Sequence, residues 1–207
     1  MLVHNENKEK ILVLASGNAG KAREFAKLLE PLGYAVKLQK EFNVVSPEEN
    51  GLSFVENALI KARYAAAQTG YPAIADDSGI CVDALNGAPG IYSARFSGEH
   101  GDDKSNNEKL LALLKDVPLP KRTAFYFCAL ALVRAKDDPV PLIATGKWCG
   151  TVGFKEQGSG GFGYDPLFLV TERNCTVAQL PDQIKNLISH RARAMMKLKA
   201  MLHQNDL

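Results

Sequence analysis

Two adjacent carboxylates, Asp76 and Asp77, follow a short apolar run and precede Ser78 and Gly79. Neighbouring side chains of an extended strand point to opposite faces of the sheet, so the two aspartates are expected to have different roles. The run at residues 73–75 predicts a strand that ends at this pair, and ligands of α/β sheets bind beyond the carboxyl ends of strands. A solvated turn in which Asp77 caps the backbone is an equally good interpretation of the segment by itself.

A second acidic pair, Glu48 and Glu49, stands just before a predicted helix. The helix dipole favours acidic residues at that place, which is a structural reason that needs no ligand. Mg²⁺, however, is bound by one or two carboxylates together with water and substrate phosphates. Glu49 and Asp77 could supply that minimal set, and the dispersed histidines and cysteines offer no competing metal site.

The segment SGNAGK, residues 16–21, lies between an apolar run and a helical pattern. Its glycines would let the backbone approach a phosphate, amides at the helix start would donate, and Lys21 would add a positive charge. Asn18 could add a side-chain donor or adopt a left-handed turn. The segment is not the common P-loop, because Ala15 and Ala22 stand where that pattern has a glycine and a Ser or Thr. An ordinary strand-to-helix turn with a solvated Lys21 is the alternative.

The glycine-dense segment GSGGFGYDP, residues 158–166, cannot form a regular helix or strand. Phe162 could stack on a heterocyclic base, an interaction worth about 1–3 kcal/mol. Asp165 could read a ring N–H of that base or brace the loop, which Pro166 stiffens. A tight loop with Phe162 or Tyr164 buried in the core is the structural alternative.

A basic segment opens the last predicted helix, where Ser189 can act as the N-cap and His190 and Arg191 project from the first turn. Lys185 lies just upstream. Cations at a helix start oppose the helix dipole, which suggests that they bind a ligand. Arg191 offers directed donors to a carbonyl or a phosphate. A solvated basic face is the alternative interpretation.

Alternating strand and helix patterns are predicted to position these segments. Strands are predicted at residues 11–15, 34–38, 73–75, 123–134 and 141–152. Helices are predicted after the SGNAG turn up to about residues 31–33, from the capping box at Ser53 up to Gly70, at about residues 106–114 and at about residues 190–203. The segment AKDDP between the last two strands suggests a hairpin. In the last helix, Met195, Leu198 and Leu202 are expected to face inward. These patterns predict a mixed α/β sheet with a hairpin-bearing lobe.

Composition excludes several classes of protein. The 207 residues are 46% hydrophobic, which is enough for a sizeable core, and 25 basic against 23 acidic residues leave a formal charge of only +2. A dedicated binder of nucleic acid or membrane surfaces would show a strong basic excess. The polar N-terminus predicts no signal peptide, and the longest apolar run is about half of a membrane helix. Four scattered cysteines fit a reducing cytoplasm.

The ordered set of motifs resembles the inosine triphosphate pyrophosphatase family. It consists of SGNAGK, EENGLSFVENALIKA, AIADDSGICVDALNGAPGIYSARFSGE, GSGGFGYDP and LISHRARAM. The resemblance covers Ile11 to Leu202, so that residues 1–10 form an N-terminal extension and residues 11–207 a single domain. It implies an α/β fold, with a mixed β-sheet flanked by helices and two lobes around a central nucleotide cleft.

The resemblance also implies an activity, the hydrolysis of ITP, dITP and XTP to the monophosphate and pyrophosphate. The reaction would require Mg²⁺, remove noncanonical purines from the cytoplasmic nucleotide pool and take place in a homodimer. The physical chemistry agrees, because a carboxylate can deprotonate a water beside a polyanion whose charge a metal ion and Lys21 offset. A noncatalytic purine nucleotide sensor and a P-loop-like phosphotransferase are the rival functions.

Site residues follow from the same resemblance, position by position. The triphosphate would be bound by Ser16, Gly17, Asn18, Ala19, Gly20 and Lys21. Glu49 and Asp77 would hold Mg²⁺, Asp77 would be the catalytic base, and Ser78 would touch the substrate. The nucleotide, mainly its base, would be bound by Phe162, Gly163, Tyr164, Asp165, Lys185, His190 and Arg191.

Overall fold

The computed structural model describes residues 10–17 and 19–204. The strands are β1 (Lys10–Leu14), β2 (Tyr34–Leu38), β3 (Ala73–Val82), β4 (Thr123–Val133), β5 (Leu142–Val152), β6 (Phe168–Val170) and β7 (Cys175–Thr176). The helices are α1 (Ala19–Leu29), α2 (Phe54–Thr69), α3 (Asp103–Leu113), α4 (Asp182–Ile188) and α5 (His190–Gln204). Lys10 is the first residue of β1, and residues 1–9 of the predicted extension lie outside the described part.

The strands form one mixed sheet in the order β2-β1-β3-β4-β5-β6-β7. Strand β1 pairs in parallel with β2 and β3, whereas β6 pairs antiparallel with both β5 and β7. The predicted α/β class with a mixed sheet is therefore confirmed. In the described part of the chain, no helix is long and apolar enough to cross a membrane.

The chain divides into two compact units. The first unit comprises residues 1–76, 130–144 and 197–207, and the second comprises residues 77–129 and 145–196. Strands β3, β4 and β5 each contribute residues to both units. The central cleft that the resemblance implied stays a prediction.

The first unit is built around β1, whose residues Leu12, Val13 and Leu14 are completely buried. Helix α1 buries Phe25 and Leu29. A strand buried on both faces is typical of a parallel sheet covered by helices, so the continuous apolar run correctly predicted β1.

Helix α2, also in the first unit, has the boundaries that its capping residues predicted. The Ser53 side chain accepts a hydrogen bond from the Glu56 N–H at 3.2 Å, and the Glu56 carboxylate accepts from the Leu52 N–H at 2.8 Å. Gly70 ends the helix with φ of 71°, in the left-handed region that glycine adopts without strain. Both ends of α2 are thus determined locally.

The second unit has its own core, which includes Ile80, Tyr126, Trp148 and Phe168. Helix α3 begins three residues before the predicted start. The reason is Asp102, whose side chain accepts a hydrogen bond from the Ser105 N–H at 3.1 Å and acts as the N-cap.

The prediction that the third strand ends at the two aspartates is wrong. Strand β3 is ten residues long and continues through Asp76 and Asp77 to Val82. A carboxylate is tolerated inside a buried strand when it has a charged partner, and Asp76 has one in Lys21. The apolar residues that follow the aspartates then continue the strand into the second unit's core. Strands β6 and β7 and helix α4 had no counterpart among the predicted elements.

Candidate functional site

The turn between β1 and α1 leads directly into the start of a helix, a place at which proteins bind phosphate groups. The Ala15 N–H donates to the Ile74 carbonyl at 2.8 Å, which holds the end of β1 beside β3. Ser16 and Gly17 follow, and α1 starts at Ala19 without an acidic residue in its first turn. The first N–H groups of a helix can donate to a phosphate. Asn18 and the side chain of Ala19 lie outside the described part of the structure.

Lys21 is held by Asp76 and is not a freely solvated side chain. The Lys21 Nζ lies 2.8 Å from each Asp76 carboxylate oxygen, and only 1% of the Asp76 side chain is exposed. A carboxylate so deeply buried requires a charged partner, so the pair fixes the direction of Lys21 from within the first unit. Sequence reasoning did not assign a function to Asp76. The one hint in the sequence that Asp76 has a function was the expectation that the two adjacent aspartates have different roles.

Asp77 and Ser78 are the first residues of the second unit. The Asp77 side chain is buried. The Ser78 Oγ is also buried and has no hydrogen-bond partner among the residues that the structure describes. An unsatisfied buried hydroxyl destabilises the fold, and an oxygen of a bound ligand would satisfy it. Ser78 thus has the property expected of a substrate contact.

Glu49 forms an ion pair with Lys61, whose Nζ lies 2.9 Å from the Glu49 Oε1. Lys61 is one of the buried residues of α2. The ion pair therefore holds the segment that contains Glu49 against this helix. Carboxylate oxygens such as those of Glu49 and Asp77 are the donors that Mg²⁺ prefers. Glu49 belongs to the first unit and Asp77 to the second. The described residues contain no group of three or more histidine, cysteine or acidic side chains that could hold a metal ion.

The glycine-rich loop, residues 158–166, separates its two aromatic side chains. Phe162 is 61% exposed, whereas Tyr164 is buried in the core. The Tyr164 hydroxyl donates to the Ser93 carbonyl at 2.8 Å, and the Ser93 Oγ accepts from the Ile80 N–H at 2.9 Å. Burial, followed by the Asp103 charge, raises the pKa of Tyr164, so the hydroxyl remains a donor. Tyr164 therefore fixes the loop, and Phe162 is left to contact a ligand.

Asp165 is the centre of the loop's hydrogen bonds. Only 3% of the residue is exposed. One oxygen accepts from the Phe162 N–H at 2.9 Å and the Lys185 Nζ at 2.5 Å. The other accepts from the Tyr126 hydroxyl at 3.2 Å. Of the two roles considered for Asp165, these bonds favour bracing of the loop over direct reading of a base.

Lys185 lies beside the aromatic ring that the loop exposes. Its Nζ is 4.3 Å from the centroid of the Phe162 ring, in addition to its ion pair with Asp165. A cation at that distance over an aromatic face is an attractive contact. The structure therefore brings three predicted residues together, namely Phe162, Asp165 and Lys185.

His190 and Arg191 are buried at the start of α5, so the interpretation of this segment as a solvated basic face is wrong. The predicted N-cap is confirmed, because the Ser189 Oγ accepts from the Ala192 N–H at 3.2 Å. The His190 ring stacks on Tyr126, with 4.8 Å between centroids and 16° between planes. Tyr126 thus connects His190 to the loop, although its apolar strand gave no signal of such a role.

Taken together, the second unit combines an exposed aromatic ring with cationic side chains, which is suited to a flat heterocycle bearing an anionic group. The first unit combines a strand-to-helix turn with a lysine that Asp76 holds in place. Asp77 is one of the buried carboxylates, and a carboxylate can accept a proton.

Known proteins resemble this chain along nearly all of its length. The model of the Ham1 family matches residues 12–201. A protein of Vibrio cholerae named dITP/XTP pyrophosphatase is 53% identical over 189 residues, covering 91% of this chain and 94% of the relative. One of the same name from Haemophilus influenzae is 52% identical over 195 residues, covering 94% and 100%. The structure of a HAM1 protein from Coxiella burnetii is similar with a TM-score of 0.91 at 44% identity, covering 95% of this chain and 100% of that one.

Proposed function

This chain belongs to the Ham1 family, and from that premise we propose that it hydrolyses noncanonical purine nucleoside triphosphates to the monophosphate and pyrophosphate. The substrates would be dITP, ITP and XTP, in keeping with the name that its relatives carry. The observation that carries the proposal is the exposed Phe162 side chain on a loop that the buried Tyr164 and Asp165 brace. Such a ring is a stacking surface for a purine.

In the proposed reaction a water attacks the triphosphate and Asp77 accepts its proton. A side chain in that role must be a base within hydrogen-bond reach of the water, and a carboxylate is suitable. Lys21, held in place by Asp76, and the amides at the start of α1 would offset the charge that moves onto the departing pyrophosphate. The Ser78 hydroxyl would donate to a substrate oxygen.

Mg²⁺ is part of the proposal, with Glu49 and Asp77 as its protein ligands. Two carboxylates fit its preference for oxygen donors completed by water and phosphate. When bound, Mg²⁺ would neutralise phosphate charge and increase the acidity of water. Lys61 would keep the Glu49 carboxylate oriented.

Base selectivity would come from donors that face the position-6 oxygen of hypoxanthine or xanthine. Arg191 is a candidate for that donor, with His190 beside it at the start of α5. Adenine presents an amino group at the same position, so a donor there would be left unpaired and rejection can be large. The proposal includes a homodimer acting in the cytoplasm, and light scattering on the purified protein tests the dimer.

Product identification tests the proposed activity against its rivals. The protein is incubated with ITP and Mg²⁺, and the products are identified by phosphorus NMR. Pyrophosphate and IMP would support the proposal. Orthophosphate would instead indicate a P-loop-like phosphotransferase, and intact ITP a noncatalytic sensor.

Asp77→Asn tests the catalytic base. We expect folding and ITP binding to persist, while kcat falls about 10²–10⁴-fold because the amide cannot accept the proton. Turnover and ITP affinity are measured separately by NMR and calorimetry. Asp137→Asn, which changes an exposed carboxylate, is the matched control and should retain kcat. Near-normal hydrolysis by Asp77→Asn would refute the assignment of the base.

A further inference from the structure

Helix α3 contacts the glycine-rich loop through two residues that are one turn apart. The Asp103 Oδ2 accepts a hydrogen bond from the Gly163 N–H at 2.7 Å. The Asn107 Nδ2 donates to the Gly163 carbonyl at 3.1 Å. Residues four apart lie on the same face of a helix, so the pair holds both polar groups of one loop residue. We call Asp103 and Asn107 the α3 clamp.

The clamp acts on the backbone beside the exposed ring. On one side of Phe162, its own N–H is bound by the Asp165 carboxylate at 2.9 Å. On the other side, the next N–H belongs to Gly163 and is bound by Asp103. The two backbone N–H groups that flank the Phe162 Cα therefore both donate hydrogen bonds to carboxylates. Gly163 has φ of 61°, a conformation that favours glycine, so the chain turns sharply directly after the ring.

The Asn107 side chain can hold the loop by hydrogen bonds, but a polar amide is unfavourable at the buried position that Asn107 occupies. It is buried, and its Nδ2 also donates to the Glu156 Oε1 at 2.8 Å. Both neighbours are acceptors, which fixes the amide with its donors toward the loop. The Asn107 Oδ1 is buried without a hydrogen-bond partner among the described residues. An apolar side chain of similar size would avoid that unfavourable burial, so the contact with the loop is the amide's evident role.

We propose that the α3 clamp positions Phe162 for the purine ring, so that Asp103 and Asn107 are positioning residues for base recognition. This inference rests on the proposed function. An exposed ring on a flexible glycine loop would lose conformational freedom on stacking, and a loop that is already ordered avoids much of that loss. The clamp should therefore affect the binding of the base and leave the triphosphate end unchanged.

Three variants and one control test the clamp. Asp103→Ala removes one acceptor, Asn107→Leu removes the amide at similar size, and the double variant removes both. Glu108→Ala, which removes another exposed carboxylate of α3, is the control. Melting curves establish that each variant folds. If Asn107→Leu does not fold, Asp103→Ala decides alone, because Asp103 is exposed and the N-cap Asp102 remains.

The measurements are KM and kcat for ITP, and calorimetric affinities for IMP and for pyrophosphate. For each single variant we expect KM and the IMP dissociation constant to rise about threefold to tenfold, the loss typical of one hydrogen bond. The kcat should change less than about twofold, and pyrophosphate affinity should be unchanged. Both residues hold Gly163, so the effects in the double variant should be less than additive.

The outcomes separate this inference from the proposed function. A wild-type protein that neither hydrolyses ITP nor binds IMP would refute the proposed function and the clamp with it. A wild-type enzyme that is active, with variants of unchanged KM and IMP affinity, would refute the clamp alone. Equal loss of IMP and pyrophosphate affinity would also refute it, since that result indicates a general disturbance of the fold.

Discussion

At the scale of single residues, Tyr126 is the side chain that joins the separate parts of the candidate base site. Its hydroxyl donates to Asp165, and its ring stacks on His190. Burial, and secondarily the Asp165 charge, raise the pKa of Tyr126 well above its ordinary value. The phenol therefore remains protonated and a donor at any pH at which the protein would be assayed.

Tyr126→Phe removes this donor and keeps the stacked ring. Asp165 would retain the Phe162 N–H and Lys185 but lose one of its partners, so the loop should become less ordered. We expect KM for ITP to rise about threefold to tenfold with a smaller change in kcat. Steady-state kinetics measure the effect, and Tyr64→Phe on the outer face of α2 is the control. Unchanged KM would mean that the remaining bonds suffice to hold Asp165.

At the scale of elements, the start of α5 is placed by its close approach to β5. A Cβ added at Gly146 would lie 1.9 Å from the His190 carbonyl oxygen and 2.7 Å from the Ala194 nitrogen. Real Cβ atoms do not approach backbone so closely, so the helix packs here only because residue 146 is glycine. His190 and Arg191 occupy the first turn of that helix, and their positions therefore depend on the strand.

Gly146→Ala should displace the start of α5 and reduce activity. A shift of about 1 Å at binding residues can lower the rate up to 10²-fold, so we expect kcat/KM to fall about 10–10²-fold. The same overpacking should lower stability by about 1–3 kcal/mol. ITP hydrolysis and melting temperature measure both effects. Gly153→Ala is the matched control, because its Cβ would meet its nearest neighbour at an ordinary 3.4 Å. Equal activity of the two variants would contradict the role of Gly146.

Elements with strong local signals were predictable from the sequence. Strand β2 has the predicted bounds, and the caps of α2 are Ser53 and Gly70 as expected. Strands β6 and β7 are three and two residues long, too short to show a periodic pattern. The end of β3 was misplaced because it depends on a partner distant in the chain. No local pattern shows that Lys21 neutralises Asp76.

At the scale of the whole molecule, the same limit applies to the candidate site. The motifs identified the segments, but the sequence did not reveal how each is supported. Asp76 lies 55 residues from Lys21, and Asn107 lies 56 residues from Gly163. These pairs form only in the tertiary structure, and a single sequence does not indicate which distant residues are in contact. Phe162 and Lys185 were assigned by resemblance, whereas Tyr126 and the α3 clamp required coordinates.

The hairpin between β4 and β5, which the AKDDP segment predicted, has a turn that is held by the side chain of Asp138. The buried Asp138 carboxylate accepts from the Arg134 Nε at 2.9 Å and the Arg134 Nη2 at 2.6 Å. It also accepts from the Val140 N–H at 2.9 Å. Arg63 of α2 donates to the Asp138 carbonyl at 3.0 Å, which attaches the hairpin to a helix of the first unit. Asp138 therefore organises the turn and its contact with α2.

These bonds make stability depend on pH in a defined direction. The hydrogen bond from Arg134, the largest cause, holds the pKa of Asp138 well below its ordinary value of 3.8. A carboxyl whose pKa is depressed in the folded state stabilises that state above its unfolded pKa, and the contribution is lost as pH falls through the folded pKa. Because Arg134 is about half exposed, solvent screening keeps the contribution modest.

Asp138→Asn should therefore lower the free energy of unfolding at pH 7 by about 1 kcal/mol. The difference from the wild type should stay constant down to about pH 5, because the wild-type carboxylate is ionised in both the folded and the unfolded state above that pH. Below about pH 5 the difference should shrink, first as the unfolded chain takes up the proton and then as the folded protein does. Urea unfolding followed by circular dichroism at several pH values measures it. Asp137→Asn, an exposed neighbour in the same hairpin, should match the wild type throughout. A difference that is the same at pH 7 and pH 3 would mean that the Asp138 charge does not stabilise the hairpin and that the variant acts only through packing.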